Sequence, residues 1–113
     1  DNKEEYFMPE RIEELYDIID YCKEHEITPV LITTPFSKYY RDLVSPEFLQ
    51  EFESIVTKIA ADTGVSYYDY SYDARFRGNL VYFSDSDHLN DDGALYFMEI
   101  LMEEIPELQR FRS

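Results

Sequence analysis

Between Ile27 and Pro35 the chain reads Ile-Thr-Pro-Val-Leu-Ile-Thr-Thr-Pro, a β-branched run with no polar alternation, closed by a proline. A strand wetted on one face alternates apolar and polar residues, whereas one covered on both faces reads as a nearly continuous apolar stretch, as in parallel α/β sheets. This run therefore sets the fold class: a parallel sheet with helices packed on it. A second strand is expected at Val65-Ser66-Tyr67-Tyr68-Asp69-Tyr70. Between the two lies a helix over about 46–62, with Ser45 as its cap, Pro46 at its first position and Glu47 facing the positive end of the helix dipole. Phe48, Phe52, Ile55, Val56 and Ile59 form its apolar stripe, and Gly64 is placed to end it in a left-handed conformation. Two strands joined by a helix of this length imply a right-handed crossover, so the strands should be parallel neighbours.

Two further helices frame this unit. Met8, Ile12, Leu15, Ile19 and Cys22 recur at helical spacing and predict a helix over about 9–25, with Pro9 in its first turn. At the other end Asn90 can cap a helix whose first turn holds Asp91 and Asp92 and whose inner face carries Ala94, Phe97, Leu101 and Ile105, with Pro106 ending it or starting a short terminal turn. The segments 36–44 and 71–79 read as loops. The element order is thus α-β-α-β-α, a truncated α/β domain with part of a doubly wound (flavodoxin-like) parallel sheet. Residues 1–113 read as a single partial domain, with 1–7 frayed, and the start at Asp1 reads as a processed or excised piece of a longer chain.

Asp and Glu outnumber Lys and Arg by 25 to 10, and the formal charge is −15. The few cations are scattered, so the chain lacks the basic footprint that nucleic acid or an anionic membrane surface requires. No apolar run reaches membrane-spanning length, and no basic and hydrophobic signal region opens the chain. Cys22 is the lone cysteine, which rules out an internal disulfide, and its helical apolar setting predicts a buried thiol.

The chemistry concentrates in Tyr82-Phe83-Ser84-Asp85-Ser86-Asp87-His88-Leu89-Asn90-Asp91-Asp92-Gly93-Ala94. Asp85 precedes His88 by three residues in a polar turn that runs into the last helix. A carboxylate so placed can orient an imidazole, which then removes a proton from a nucleophile. The bland reading is that both are polar residues of a helix-entry turn, with Asp85 or Asp87 capping backbone N–H groups; Asp87, Asn90, Asp91 and Asp92 are assigned by default to solvation and capping. A metal site is not expected: the calcium-loop pattern before Gly93 places His88 where its first acidic ligand belongs, and His25, the second histidine, is far off on the first helix and expected exposed. Ser37, at the end of the first strand, is the serine best placed for a nucleophile, although nothing around it forms an elbow or an oxyanion hole.

Asp85-Ser86-Asp87-His88-Leu89-Asn90, followed by Gly93-Ala94 and an apolar helix, with Pro29-Val30-Leu31-Ile32-Thr33-Thr34-Pro35 before it, resembles the C-terminal half of the SGNH (GDSL-like) hydrolase superfamily. The resemblance implies that His88 is a general base and Asp85 its orienting acid, in an acyl-ester hydrolase or acyltransferase that needs no cofactor. That family's Gly-Asp-Ser nucleophile block has no counterpart here, so the resemblance implies a serine located elsewhere, an acyl-ester substrate for the completed enzyme, and a chain inactive by itself. It also implies an extracytoplasmic or envelope setting. The alternative is a non-catalytic α/β interaction module that self-associates as a homodimer or docks on a partner or an upstream segment through its strand edges or aromatic loop.

Overall fold

The computed structural model describes residues 9–85 and 87–111, so the segment expected to fray and Met8 lie outside the described residues. The elements are α1 (Pro9–Glu24), β1 (Val30–Thr33), α2 (Lys38–Leu43), α3 (Pro46–Thr63), β2 (Ser66–Asp69), α4 (Ala74–Arg77), a 3-10 turn (Leu80–Tyr82), α5 (Asp91–Glu104) and a second 3-10 turn (Pro106–Phe111). The fold is mixed helix and strand, with β1 and β2 paired in a two-stranded parallel sheet. Backbone bonds carry the same register past the strand ends: the Tyr70 N–H donates to the Thr33 carbonyl at 2.9 Å and the Phe36 N–H to the Ser71 carbonyl at 3.3 Å. Among the described residues no helix is long and apolar enough to cross a membrane.

The chain divides into two compact units. One comprises the chain up to Leu31 together with Ser45–Tyr68, and the other Ile32–Val44 together with the chain from Asp69 on. In the first, Ile19 of α1 and Ile59 of α3 meet Val65, with Ile12, Leu15, Tyr16, Leu31 and Ile55 packed around them. The Tyr16 hydroxyl donates to Asp62 Oδ2 at 2.8 Å, and Lys58 reaches the same carboxylate at 2.7 Å. This trio is solvent-exposed and screened, so the apolar contacts between α1 and α3 supply most of the adhesion. Cys22, expected buried, is half-buried.

The ends of α3 follow from its sequence. Ser45 Oγ accepts from the Phe48 N–H at 3.1 Å, and Gly64 closes the helix at φ 75°. The end of α1 was not foreseeable in the same way. The Ile27 N–H donates to the Cys22 carbonyl and the Glu26 N–H to the Lys23 carbonyl, a Schellman arrangement with Glu26 at φ 59° in the position glycine usually holds. A side chain there pays for the left-handed backbone. Glu26→Gly should therefore stabilise the chain by roughly 0.5–1 kcal/mol, read as a higher urea midpoint at unchanged slope.

The second unit is organised on an aromatic cluster. Phe76 of α4 is fully buried, with the rings of Tyr82, Tyr96 and Phe97 at 5.6, 5.3 and 5.8 Å, and Tyr70 lies edge-on to Phe97 at 5.3 Å. Arg75 bonds Asp73 at 2.6 Å and Glu104 at 3.0 Å, and the Tyr70 hydroxyl donates to Glu104 at 3.1 Å, tying α4 to the end of α5. The inner face of α5 carries Phe97, Ile100 and Leu101, with Ile105 buried just beyond. Ala94, expected on that face, is exposed; the helix enters the core on Gly93 instead.

Two segments differ from expectation. Lys38–Leu43 and Ala74–Arg77 are short helices where loops were expected. Helices of four to six residues show no repeated apolar period, and Ala74–Arg77 is held by the burial of Phe76 rather than by propensity.

Candidate functional site

The Asp85–His88 turn sits in a loop closed at its base by backbone bonds. Phe83 and Leu89 form an antiparallel bridge, the Ser84 N–H donates to the His88 carbonyl at 2.9 Å, and the Asn90 N–H donates to the Tyr82 carbonyl at 2.9 Å. Asn90 then has three roles. Its Oδ1 accepts from the Gly93 N–H at 2.8 Å to cap α5, its Nδ2 donates to the Val81 carbonyl at 2.7 Å, and its own N–H closes the loop. The loop is thereby pinned to the 3-10 turn on one side and to α5 on the other.

Within it the Asp85 carboxylate acts as a hub. Its Oδ1 accepts from the Asp87 N–H at 3.1 Å and the His88 N–H at 2.8 Å, so the backbone wraps around the side chain. The same wrap brings His88 Nδ1 to 2.9 Å from Oδ1 and 3.0 Å from Oδ2. Asp85 and His88 are therefore in direct contact, and a neutral imidazole so held carries its proton on Nδ1 and its lone pair on Nε2. Nε2 has no partner among the described residues, and the side chain is 70% exposed. The arrangement can accept a proton from a hydroxyl brought against Nε2.

Asp87 was assigned to solvation, yet its Oδ1 lies 3.2 Å from His88 Nδ1. The signal was its place inside the Asp85 turn, which folds residue 87 back onto the imidazole. Asp85, Asp87 and His88 together offer three ligand atoms within 4.8 Å of one another. A hard cation there would compete with His88 for the oxygens that orient it. Ser37, the serine considered as a nucleophile, is fully buried at the start of α2, so its hydroxyl is not presented to a substrate.

The hydrogen bond from Asp85, reinforced by the charge of Asp87, raises His88 above its ordinary value of 6.5. The bond from His88 and that from the Asp87 backbone lower Asp85 below 3.8. The signs are opposite at the two groups. His88 binds its proton more tightly in the folded chain, so its contribution to stability is complete below about 6.5 and is lost as pH rises through its raised value. The Asp85 contribution is complete above about 3.8 and is lost as pH falls through its lowered value. Asp85→Asn should bring the His88 titration down towards the ordinary imidazole value, and adding Asp87→Asn should complete the return. NMR titration of the His88 ring protons measures both.

No family model matches the chain, and no solved structure matches it. A curated protein named glycogen synthase, from Moorella thermoacetica, is 32% identical over 97 residues, covering 80% of this chain and 19% of that protein. The chain thus spans about a fifth of the length of the relative it matches. This overturns the resemblance to SGNH hydrolases and, with it, the acyl-ester hydrolase or acyltransferase assignment. The interaction-module alternative gains no clear support from the match either. The physical reason for the correction lies in the motif. An aspartate that wraps its own backbone, followed by an asparagine cap, yields Asp-x-x-His-x-Asn from local hydrogen bonding alone, so the spacing does not identify a family.

Proposed function

We propose that this chain is a segment of a glycosyltransferase-like protein in which His88, oriented by Asp85, takes the proton from an acceptor sugar hydroxyl. The observation that carries the chemistry is the contact of His88 Nδ1 with the Asp85 carboxylate at 2.9 Å, which leaves Nε2 turned to solvent. The sugar class comes from the 32% identity to a protein named glycogen synthase. In the step envisaged, the acceptor oxygen bonds the anomeric carbon of an activated glucose, the bond from that carbon to the donor phosphate breaks, and the hydroxyl proton passes to Nε2. No donor contact is assigned to this segment: Arg75, the cation of the second unit's ion-pair network, is already engaged by Asp73 and Glu104. The helix–strand–helix–strand order further supports reading the two-stranded parallel sheet as part of a doubly wound sheet continued elsewhere in the protein.

The test is transfer of labelled glucose from a nucleotide-glucose to maltoheptaose by the longest natural polypeptide containing this segment. His88→Ala should lower the rate about 10²–10⁴-fold, the range general-base catalysis contributes. Asp85→Asn should move the rising limb of the pH–rate profile to lower pH while reducing its plateau. Transfer unaffected by His88→Ala would overturn the assignment, as would a complete polypeptide that transfers no glucose from either ADP-glucose or UDP-glucose.

A further inference from the structure

Helix α5 is apolar on two opposite sides. Phe97, Ile100 and Leu101 face the core of its unit, while Leu95 and Met98 stand 64% and 54% exposed on the other side, with half-buried Met102 one turn beyond Met98. Their spacing of three, four and seven residues makes one continuous outer stripe. A soluble helix with a single partner surface has one apolar face, and a helix apolar all round is covered on both. The stripe is flanked on one side by Asp92, Glu99 and Glu103, all exposed and none ion-paired among the described residues.

We propose that the outer face of α5 docks a basic amphipathic helix of a protein partner, with the partner's apolar side chains over Leu95, Met98 and Met102 and its Lys or Arg residues along the acidic flank. Charge selects this occupant. A second copy would bring its own acidic flank and a further −15 of formal charge to the contact. Anionic lipid and nucleic acid are repelled by the same carboxylates. A helix in a groove or on a helical face anchored at i, i+3, i+4 and i+7 is a familiar recognition mode, and Leu95, Met98 and Met102 supply i, i+3 and i+7 of that pattern.

The test uses an 18-residue peptide of leucine and lysine, with leucine repeating at i, i+3, i+4 and i+7, labelled for fluorescence anisotropy against the whole chain. A scrambled peptide of identical composition is the control for charge alone. Expected are saturable binding of the amphipathic peptide and at least tenfold weaker binding of the scrambled one. Leu95→Ser/Met98→Ser should weaken the first about tenfold while leaving the His88 titration unchanged. Asp92→Asn/Glu99→Gln/Glu103→Gln should weaken it too and flatten its salt dependence, so the proposal stays testable if the serine variant loses its fold. Equal binding of both peptides, or affinity untouched by either variant, would overturn the proposal. So would a dimer seen by light scattering that the serine variant abolishes, because the occupant would then be a second copy.

Discussion

Gly93→Ala will destabilise the second unit by about 3 kcal/mol, although it adds a single methyl group to a helix. A Cβ on Gly93 would run into the carbonyl oxygen of Tyr82, with the Tyr82 Cβ only 3.0 Å away. The obstacle is backbone, so no rotamer change relieves it, and overpacking of this kind sits near the upper end of the usual 1–3 kcal/mol, or about 3. The same carbonyl accepts the Asn90 N–H at 2.9 Å, so relief by moving Tyr82 opens the base of the Asp85–His88 loop. Gly78 supplies the contrast. A Cβ there meets nothing within 4 Å and its φ is −100°, so Gly78→Ala should be neutral or slightly stabilising. Urea unfolding of the two variants, with amide exchange at Asn90, separates crowding at Gly93 from a general effect of removing glycine.

The elements that could be read from the sequence are those whose signals are local. Ser45, Gly64 and Asn90 occupy the cap positions their chemistry predicts, and α1, α3 and α5 fall within a residue or two of the expected spans. The strands are also where expected but shorter, β1 beginning at Val30 just after Pro29, whose ring has no N–H to give a ladder. What stayed hidden depends on distant partners. Phe76 lies in the polar run Asp73-Ala74-Arg75-Phe76-Arg77-Gly78 and shows no periodicity, yet it is the centre of an aromatic cluster. Glu26 takes a left-handed conformation with no glycine to announce it, because the Schellman bonds of Ile27 and Glu26 outweigh its preference.

The candidate site divides in the same way. The Asp85–His88 pair could be foreseen because one turn of backbone makes the contact, while the part played by Asp87 required knowing how that turn folds. The family could not be read from the same residues. A pattern that local hydrogen bonding generates carries little history, and 32% identity along 97 residues weighs more.

Phe76→Ala is the substitution expected to cost most, about 3–5 kcal/mol, as for other large-to-small changes at fully buried aromatics. The ring, carried by α4, fills the space between Tyr82 of the 3-10 turn and Tyr96 and Phe97 of α5, so its loss removes packing that three elements share. Against the roughly 5–15 kcal/mol that stabilises an ordinary domain, the loss would leave the second unit partly unfolded at moderate temperature. With 11 tyrosines and no tryptophan, near-ultraviolet tyrosine dichroism should collapse early in a thermal scan while the helical signal of α1 and α3 persists longer. Phe76→Leu, which keeps most of the volume, should cost less than half as much. The consequence for the site tests how local it is. Asp85 and His88 bond within four residues of chain, so wherever the variant remains folded His88 should titrate as in the parent, and the raised value should vanish only with the cooperative unfolding step. A His88 titration already normal in the folded variant would mean that the aromatic cluster, and not the Asp85 turn, sets the position of the imidazole.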